Sequence, residues 1–209
     1  MMISPSQIGF EKIPSFMRLR NIELIRSLNL EGRSVLELSN ELDGAARAPE
    51  ACFRSAEISS IFDTVEKYDV AVLHSPICHI PKPSLSSVLR RLGDCIRERL
   101  VIVEDLAVDR FSEKELEMKE IIWPGYASNF WKNIKLELEA IGFKNVERII
   151  WISQIPLSED EVARKIRILN RMAIERKIDL SEEFQELIAI YRTSTPVFTP
   201  KDLLIAHKC

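Results

Sequence analysis

Glycine is scarce in this chain, where only six of the 209 residues are glycine. Long apolar runs are missing too, since no hydrophobic stretch approaches the roughly 20 residues that cross a bilayer. The N-terminus, Met1-Met2-Ile3-Ser4-Pro5, lacks the basic segment and apolar core of a secretion signal. We therefore expect a cytoplasmic protein.

Cysteine is also sparse, and its spacing argues against a disulfide or zinc framework. The four cysteines are scattered, and no two of them form a C-x-x-C pair. The net charge of −3 argues against nucleic-acid binding through the field of the whole molecule. A chain of 209 residues suits one domain, which we place at 1–209, with a core of its own.

Apolar segments alternate with helical patterns along the chain. The continuous apolar run at 68–73 is typical of a parallel strand that is covered on both faces. A helical pattern follows, with Pro81 and Pro83 at its start and Ile96 as its last apolar position, and a second buried strand follows at 100–103. Strand, helix and strand in this order predict a parallel sheet with helices packed on it.

The second half of the chain continues this alternation. Ser112 and Glu115 have the spacing of a capping box, which predicts that a helix begins at Ser112. Ser158 and Glu161 predict a second capping box, which opens a helical pair that reaches about Tyr191. Strands are expected on both sides of this pair, so residues 158–192 form a helical insertion, or lid, before the last strand.

Two segments carry a family resemblance. The strand and acidic turn from Ser34 to Gly44 resemble the V-L-D-L-G-x-G-x-G cofactor loop of class I S-adenosylmethionine-dependent methyltransferases. The segment from Tyr68 to Pro81 resembles the F-D-V-V…E-H-I-P segment of the same family. The resemblance implies an α/β protein with a three-layer, Rossmann-like methyltransferase fold. We expect a mostly parallel sheet of about six strands with a shortened N-terminal half.

The cofactor loop departs from the family pattern. Ser39, Glu41 and Asp43 stand where the family has three glycines, and their side chains obstruct the close approach of the backbone to the cofactor. The interval between Leu38 and Asp69 is also too short for the family's usual elements, so one strand and at least one helix should be missing. We expect weak or absent S-adenosylmethionine binding and a non-catalytic protein that acts through a partner or ligand. The alternative is an active methyltransferase with an atypical cofactor loop.

The resemblance also indicates candidate site residues. Glu37 is interpreted either as an acid that contacts the cofactor or as a carboxylate that only pairs at the end of a strand. His74 or His79 is a candidate general base, because imidazole titrates near neutral pH. No metal site is expected, since these histidines and Cys78 lack further ligands at suitable spacing. The candidate cofactor contacts are Glu37, Ser39, Asn40, Glu57, His74 and Ser75.

Two features suggest binding partners. Arg164, Arg167 and Arg171 form a basic stripe on the helix after Ser158, which we interpret first as the solvated face of an amphipathic helix. The alternative is a site for an anionic ligand. Loss of a strand and a helix should leave an exposed edge near residues 45–62, which predicts a homo-oligomer or a protein partner.

Overall fold

The computed structural model describes residues 23–24, 26–39, 52–56, 58–63, 66–74, 82–124, 130–194 and 196–208. Within them, six strands form one sheet in the order β2-β1-β3-β4-β6-β5. The strands are β1 (Ser34–Ser39), β2 (Cys52–Ala56), β3 (Tyr68–His74), β4 (Ile96–Asp105), β5 (Phe143–Ile152) and β6 (Pro200–Lys208). The helices are α1 (Lys82–Cys95), α2 (Arg110–Ile122), α3 (Phe130–Ala140), α4 (Glu159–Glu175) and α5 (Ser181–Thr193). The expected sheet of about six strands is confirmed.

Strand direction follows from the helices that connect the strands. β2, β1, β3 and β4 are parallel neighbours. β6 lies antiparallel between β4 and β5. A parallel pair needs a crossover connection, and α1 supplies it between β3 and β4. The sheet is therefore mostly parallel, as the sequence predicted.

Both faces of the central strands are covered by apolar side chains. On one face, Leu36 and Leu73 belong to a core that includes residues of α1 and α3. On the opposite face, Val35 and Val72 pack in a second core, together with leucines from the residues that precede β1. Adjacent residues of one strand thus enter different cores, because side chains alternate across a strand. The resulting arrangement is the expected three-layer α/β sandwich.

The N-terminal half of the sheet is short. Only residues 40–51 connect β1 to β2, and a 3-10 helix (Ile58–Asp63) lies in the connection from β2 to β3. Ile61 of this helix is fully buried, and its carbonyl accepts a hydrogen bond from Arg91 Nε at 3.3 Å. In the described part of the chain, β2 is the outermost strand on this side. The predicted shortening is confirmed.

Three helices share a separate apolar core, and we call α2, α4 and α5 the helical cap. Phe111 of α2 makes an edge-on contact with the ring of Tyr191 of α5, with ring centroids 6.1 Å apart. The hydroxyl of Tyr191 donates a hydrogen bond to the carbonyl of Leu157 at 3.0 Å, just before α4. The helical insertion expected at 158–192 thus corresponds to α4 and α5, packed against α2. Its role as a lid stays a prediction.

One of the two predicted capping boxes is wrong. α2 begins at Arg110 and not at Ser112, and its N-cap is Asp109. Asp109 Oδ1 accepts a hydrogen bond from the backbone N–H of Ser112 at 2.8 Å, while the Ser112 hydroxyl oxygen accepts one from the backbone N–H of Asp109. Asp109 and Ser112 both have side chains that favour N-caps, so the sequence alone did not distinguish them. The Ser158–Glu161 capping box is confirmed.

Replacing Asp109 with Ala should lower the free energy of unfolding by about 1 kcal/mol, the typical value of an N-cap. Asp109→Asn is the matched control, since it keeps an oxygen acceptor for Ser112 and should cost only a fraction of this. Urea denaturation followed by circular dichroism measures both values. Equal stability of the two variants would contradict the assignment of Asp109 as the cap.

Candidate functional site

The parallel strands β1 to β4 all end at one edge of the sheet, which we call the carboxyl edge. Ser39 ends β1 and lies in register with His74, which ends β3. His74 in turn lies in register with Val103 of β4. Neighbouring strands are about 4.8 Å apart, so the structure brings together two residues that the sequence selected independently. Ligands of open α/β sheets bind at this edge.

Glu37 lies inside β1, and the strand continues beyond it to Ser39. Its side chain is 4% exposed, which is unusual for a carboxylate. Alternation places it on the same face of the strand as Val35, and its register neighbours are Ser55 and Val72. Glu37 is therefore a buried acid close to the carboxyl edge. Whether it contacts a cofactor stays a prediction.

A pair of buried carboxylates lies further along the sheet. Glu104 of β4 is directly opposite Asp202 of β6, and both are buried. Asp202 accepts hydrogen bonds from Arg148, with Nε 2.9 Å from both carboxylate oxygens. Hydrogen bonding to Asp202 raises the pKa of Arg148. This ion pair places a cation on the same face as the two acids.

A chain of five charged groups joins the helical cap to the carboxyl edge, and we call it the ion chain. Lys201 Nζ lies 2.6 Å from Asp105 Oδ1. Asp105 Oδ2 pairs with Lys119, which lies 3.0 Å from Glu115 Oε1. Lys165 Nζ then lies 2.7 and 2.9 Å from the two oxygens of Glu115. Charges of opposite sign alternate from β6 through β4 and α2 to α4.

Burial and charge act in opposite directions on the two acids of the ion chain. Burial would raise the pKa of Asp105, but the charges of Lys119, Lys201 and Lys165 outweigh it and hold that pKa well below its ordinary value. Burial also opposes ionisation of Glu115, whose pKa is nevertheless lowered by Lys119 and Lys165. Both groups are thus ionised in the folded protein at neutral pH, and both oxygens of each are used.

Sequence reasoning missed the ion chain. One local signal was present, because Glu115 and Lys119 have the i, i+4 spacing of a helical ion pair. The contacts to Lys165 and Lys201 join residues distant in sequence, and no spacing predicts them.

The predicted arginine stripe is only partly a free surface. Arg171 is mostly exposed and pairs with Glu175 one turn later, at 3.1 Å. Arg167 is exposed, and Arg164 is half-buried. Arg167 and Arg171 thus lie on the exposed side of this helix, whereas Lys165 reaches the ion chain. Binding of an anion by the stripe stays a prediction.

Several residues that the sequence analysis selected fall in parts of the chain that the structure does not describe. Asn40, Glu57, Ser75, Cys78 and His79 lie outside the described residues. Among the residues that are described, no cluster of His, Cys, Asp and Glu has the arrangement of a metal site. None of the described helices combines the length and hydropathy needed to cross a membrane.

Replacing Lys119 with Met should leave both acids of the ion chain without their shared cation. We expect the free energy of unfolding to fall by about 3 kcal/mol, the cost of breaking a buried pair. Lys135→Met is the matched control, because Lys135 forms an exposed 3.9 Å pair with Glu139 and should change stability by less than about 0.5 kcal/mol. Chemical denaturation at pH 7 compares the two variants.

Lys119→Met should also change how the free energy of unfolding depends on pH in the acid range. Asp105 and Glu115, whose pKa values are lowered in the folded protein, stabilise the fold fully above their ordinary pKa values of 3.8 and 4.5. This stabilisation is lost as the pH falls through the lowered pKa values of the folded state. Stability of the parent protein should therefore decline more steeply below pH 4.5 than that of Lys119→Met. Parallel acid dependences of the two proteins would show that Lys119 does not set these pKa values.

Comparison with known proteins identifies the fold. No family model and no curated protein sequence matches the chain. A cyclopropane-fatty-acyl-phospholipid synthase-like protein from Lactobacillus casei ATCC 334 has a TM-score of 0.59 at 11% identity, over 91% of this chain and 90% of that chain. A SAM dependent methyltransferase from Archaeoglobus fulgidus has a TM-score of 0.50 at 15% identity, over 92% and 94%.

A third similar structure contains a cofactor product. Phosphoethanolamine N-methyltransferase 2 from Haemonchus contortus, in complex with S-adenosylhomocysteine, has a TM-score of 0.50 at 12% identity. The match covers 91% of this chain and 52% of that chain. Identities this low establish the architecture alone. Together with the strand order, they show that this chain has the fold of class I S-adenosylmethionine-dependent methyltransferases.

Proposed function

We propose that this protein is a methyltransferase-like protein with a degenerate cofactor site, and that it acts by binding a partner or ligand without catalysing methyl transfer. The observation that carries the proposal is the end of β1. Ser39 ends the strand, and Glu41 and Asp43 follow it where the family has glycines. Only residues 40–51 then lead to β2, which is the outermost described strand on that side.

The residues at this edge do not fit S-adenosylmethionine. The described glycines lie elsewhere: Gly32 precedes β1, Gly93 lies within α1 and Gly142 precedes β5. In the sequence, Glu41 and Asp43 stand where the resembling family has glycines beside the methionine carboxylate, so they would add negative charge there, and buried Glu37 adds another acid. Like charges at close range oppose binding. We therefore derive no methyl-transfer step for this chain.

The alternative is an active methyltransferase with an atypical loop. It is supported by the adjacency of Ser39 and His74 at the carboxyl edge, where a base and a cofactor would have to meet. It is also supported by the S-adenosylhomocysteine complex of the structurally similar Haemonchus contortus enzyme. Cofactor affinity distinguishes the two functions, because catalysis requires a cofactor that binds.

Calorimetric titration of the full chain with S-adenosylhomocysteine and S-adenosylmethionine should give no measurable heat of binding up to millimolar concentrations. A micromolar dissociation constant for either compound would overturn the proposal in favour of the active enzyme. The titration needs no knowledge of a methyl acceptor.

The double substitution Glu41→Gly with Asp43→Gly tests whether the loop alone is responsible. If side-chain bulk and charge are the obstacle, the variant should gain affinity for S-adenosylhomocysteine. Glu31→Gly with Asp63→Gly is a control that removes the same charge away from the loop, and it should gain none. Absence of binding by both variants would indicate that the shortened segment 40–57 is the cause.

We further propose that the partner is a second copy of this chain and that it pairs with β5. β5 is hydrogen-bonded only to β6 among the described strands, so its other edge is open to a further strand. Ile149, Ile150 and Ile152 are 42%, 58% and 43% exposed on this strand. Exposed apolar edge strands are typical sites of pairing between chains. The sequence had placed the exposed edge near residues 45–62, where β2 lies.

The sequence of β5 favours a particular self-pairing. A twofold axis at Ile150 would place Ile150 opposite its own copy and Ile149 opposite Trp151 of the other chain. Registers centred on Glu147 or Arg148 would instead place like charges directly opposite each other, which is destabilising. Antiparallel pairing about Ile150 avoids both like-charge contacts.

Light scattering after size-exclusion chromatography should show a dimer for the parent protein and a monomer for Ile150→Lys, since an edge lysine blocks strand pairing. Ile174→Lys is the control, because Ile174 is 66% exposed on α4, away from β5, and this variant should remain dimeric. A parent protein that is monomeric at high concentration, or an equal effect of both substitutions, would contradict pairing through β5.

A further inference from the structure

Three basic side chains form a row across neighbouring strands, at the edge of the sheet opposite the carboxyl edge, and we call them the basic row. Arg99 of β4 lies directly opposite His207 of β6, and His207 lies directly opposite Lys144 of β5. Residues directly opposite each other in antiparallel strands share one face of the sheet, with Cβ atoms about 5 Å apart. Because the side chains of Arg99 and Lys144 are long, both can reach an ion that lies above His207.

A β-bulge gives Lys144 its place in the basic row. The register of β5 on β6 shifts between Lys144 and Glu147, and Asn145 between them has a positive φ of 50°. Asparagine adopts this left-handed backbone more readily than most residues. Residues three apart in a regular strand point to opposite faces, and the extra residue of the bulge instead places Lys144 and Glu147 on the same face. Bulges are over-represented next to functional sites because they redirect side chains.

The guanidinium of Arg99 is held in position by the backbone before β1. Its Nη2 donates hydrogen bonds to the carbonyl oxygens of Leu28 at 2.6 Å and Asn29 at 2.9 Å. The N–H groups of Nε and Nη1 have no acceptor among the described residues. A side chain that is already fixed loses little conformational entropy when its remaining donors bind an oxyanion.

The basic row is not paired with carboxylates in the described part of the chain. Neither Lys144 nor His207 forms an ion pair there, and the nearby Glu98 pairs with Arg33. Burial lowers the pKa of Arg99, and the positive charge of Arg33 lowers it further, more strongly than Glu98 raises it. Arg99 therefore lies in a setting where positive charge predominates.

One acid shares this face with the basic row. Glu147 lies opposite Ile205, the next position on this face of β6 before His207. It is exposed and forms no ion pair with any described residue. Its charge opposes an anion only in part, because water screens exposed charges. Two permanent cations, Arg99 and Lys144, thus face one screened carboxylate, and His207 adds a further donor.

A phosphate group matches the basic row better than a carboxylate group does. The row presents a guanidinium, an imidazole and an ammonium group from three different strands. A carboxylate has two oxygens, whereas a phosphate monoester has three strong acceptor oxygens that can receive hydrogen bonds from separate directions. Arginine forms strong charge-assisted hydrogen bonds with phosphate, and lysine binds it as a point charge.

We propose that the basic row binds a phosphate group, either free phosphate or the terminal phosphate of a small molecule, through Arg99, Lys144 and His207. The site goes beyond the proposed function, since it lies at the opposite end of the strands from the degenerate cofactor site. It requires neither S-adenosylmethionine nor the pairing of β5 with a second copy.

A phosphate titration of the full chain tests the site, with the imidazole NMR signals of His207 as the reporter. The chain has only three histidines, so the signals that disappear in His207→Gln are those of His207. Sodium phosphate replaces sodium chloride stepwise at constant pH and ionic strength, and we expect a saturable shift of these signals. A shift that is absent, or that does not saturate, would overturn the proposal.

Substitutions of exposed residues test which charges bind the phosphate. Lys144→Gln should raise the dissociation constant about fivefold, and Glu147→Gln should lower it about twofold, as expected for exposed charge pairs. Lys135→Gln is the matched control, because it removes the same charge from exposed α3, on the other face of the sheet, and should leave the dissociation constant unchanged. Equal effects of the two lysine substitutions would show that only overall charge matters and would overturn the proposal.

Phenyl phosphate, titrated in the same way, distinguishes the two sources of the phosphate group. Binding of phenyl phosphate at least as tight as that of inorganic phosphate would support the terminal phosphate of a small molecule. Binding of inorganic phosphate alone would support the free ion. A response to single-stranded RNA without a response to either small compound would overturn the proposal, since the row would then need a polyanion.

Discussion

The structure depends on the burial of both faces of β1, β3 and β4. Leu36 and Leu73 lie in one core, and Val35 and Val72 lie in the other. Polar groups on these strands are consequently costly except where they are paired or where the strands end. Ser39 and His74 lie where the strands end. On the neighbouring strand β6, the buried Asp202 is paired with Arg148. The carboxyl edge is thus the place where this sheet can carry polar side chains for binding or catalysis.

The helical cap is connected to the sheet in a different way. Its apolar core is separate from the two cores of the sheet. The ion chain spans the gap, with Asp105 at the end of β4 paired to Lys119 of α2. Contacts between charged groups are more sensitive to pH, salt and bound ions than apolar packing. The contact between the helical cap and the sheet is therefore the part of this fold most sensitive to pH and salt.

The sequence predicted one part of the candidate cofactor site, namely which residues lie at the ends of the strands. Apolar runs located β1 and β3, and parallel pairing then made neighbours of Ser39 and His74. The loss of the family glycines was also a property of the sequence alone. Asp109 was missed as the cap of α2 because Ser112, three residues later, offers the same chemistry. The ion chain was missed because Asp105, Lys165 and Lys201 meet only when three distant elements pack together.

The sequence by itself determined the elements and the class of fold, because the alternation of apolar and polar residues is a local property that indicates which face of each element is buried. Tertiary structure decided which apolar segments were covered. The run Ile149–Ile152 resembles a buried strand in sequence, yet the order of strands places it at the open edge of the sheet. Lys165 resembles a solvated residue, yet packing of α4 on α2 brings it to Glu115. Sheet order and helix packing are set by contacts between distant residues, and no local pattern encodes them.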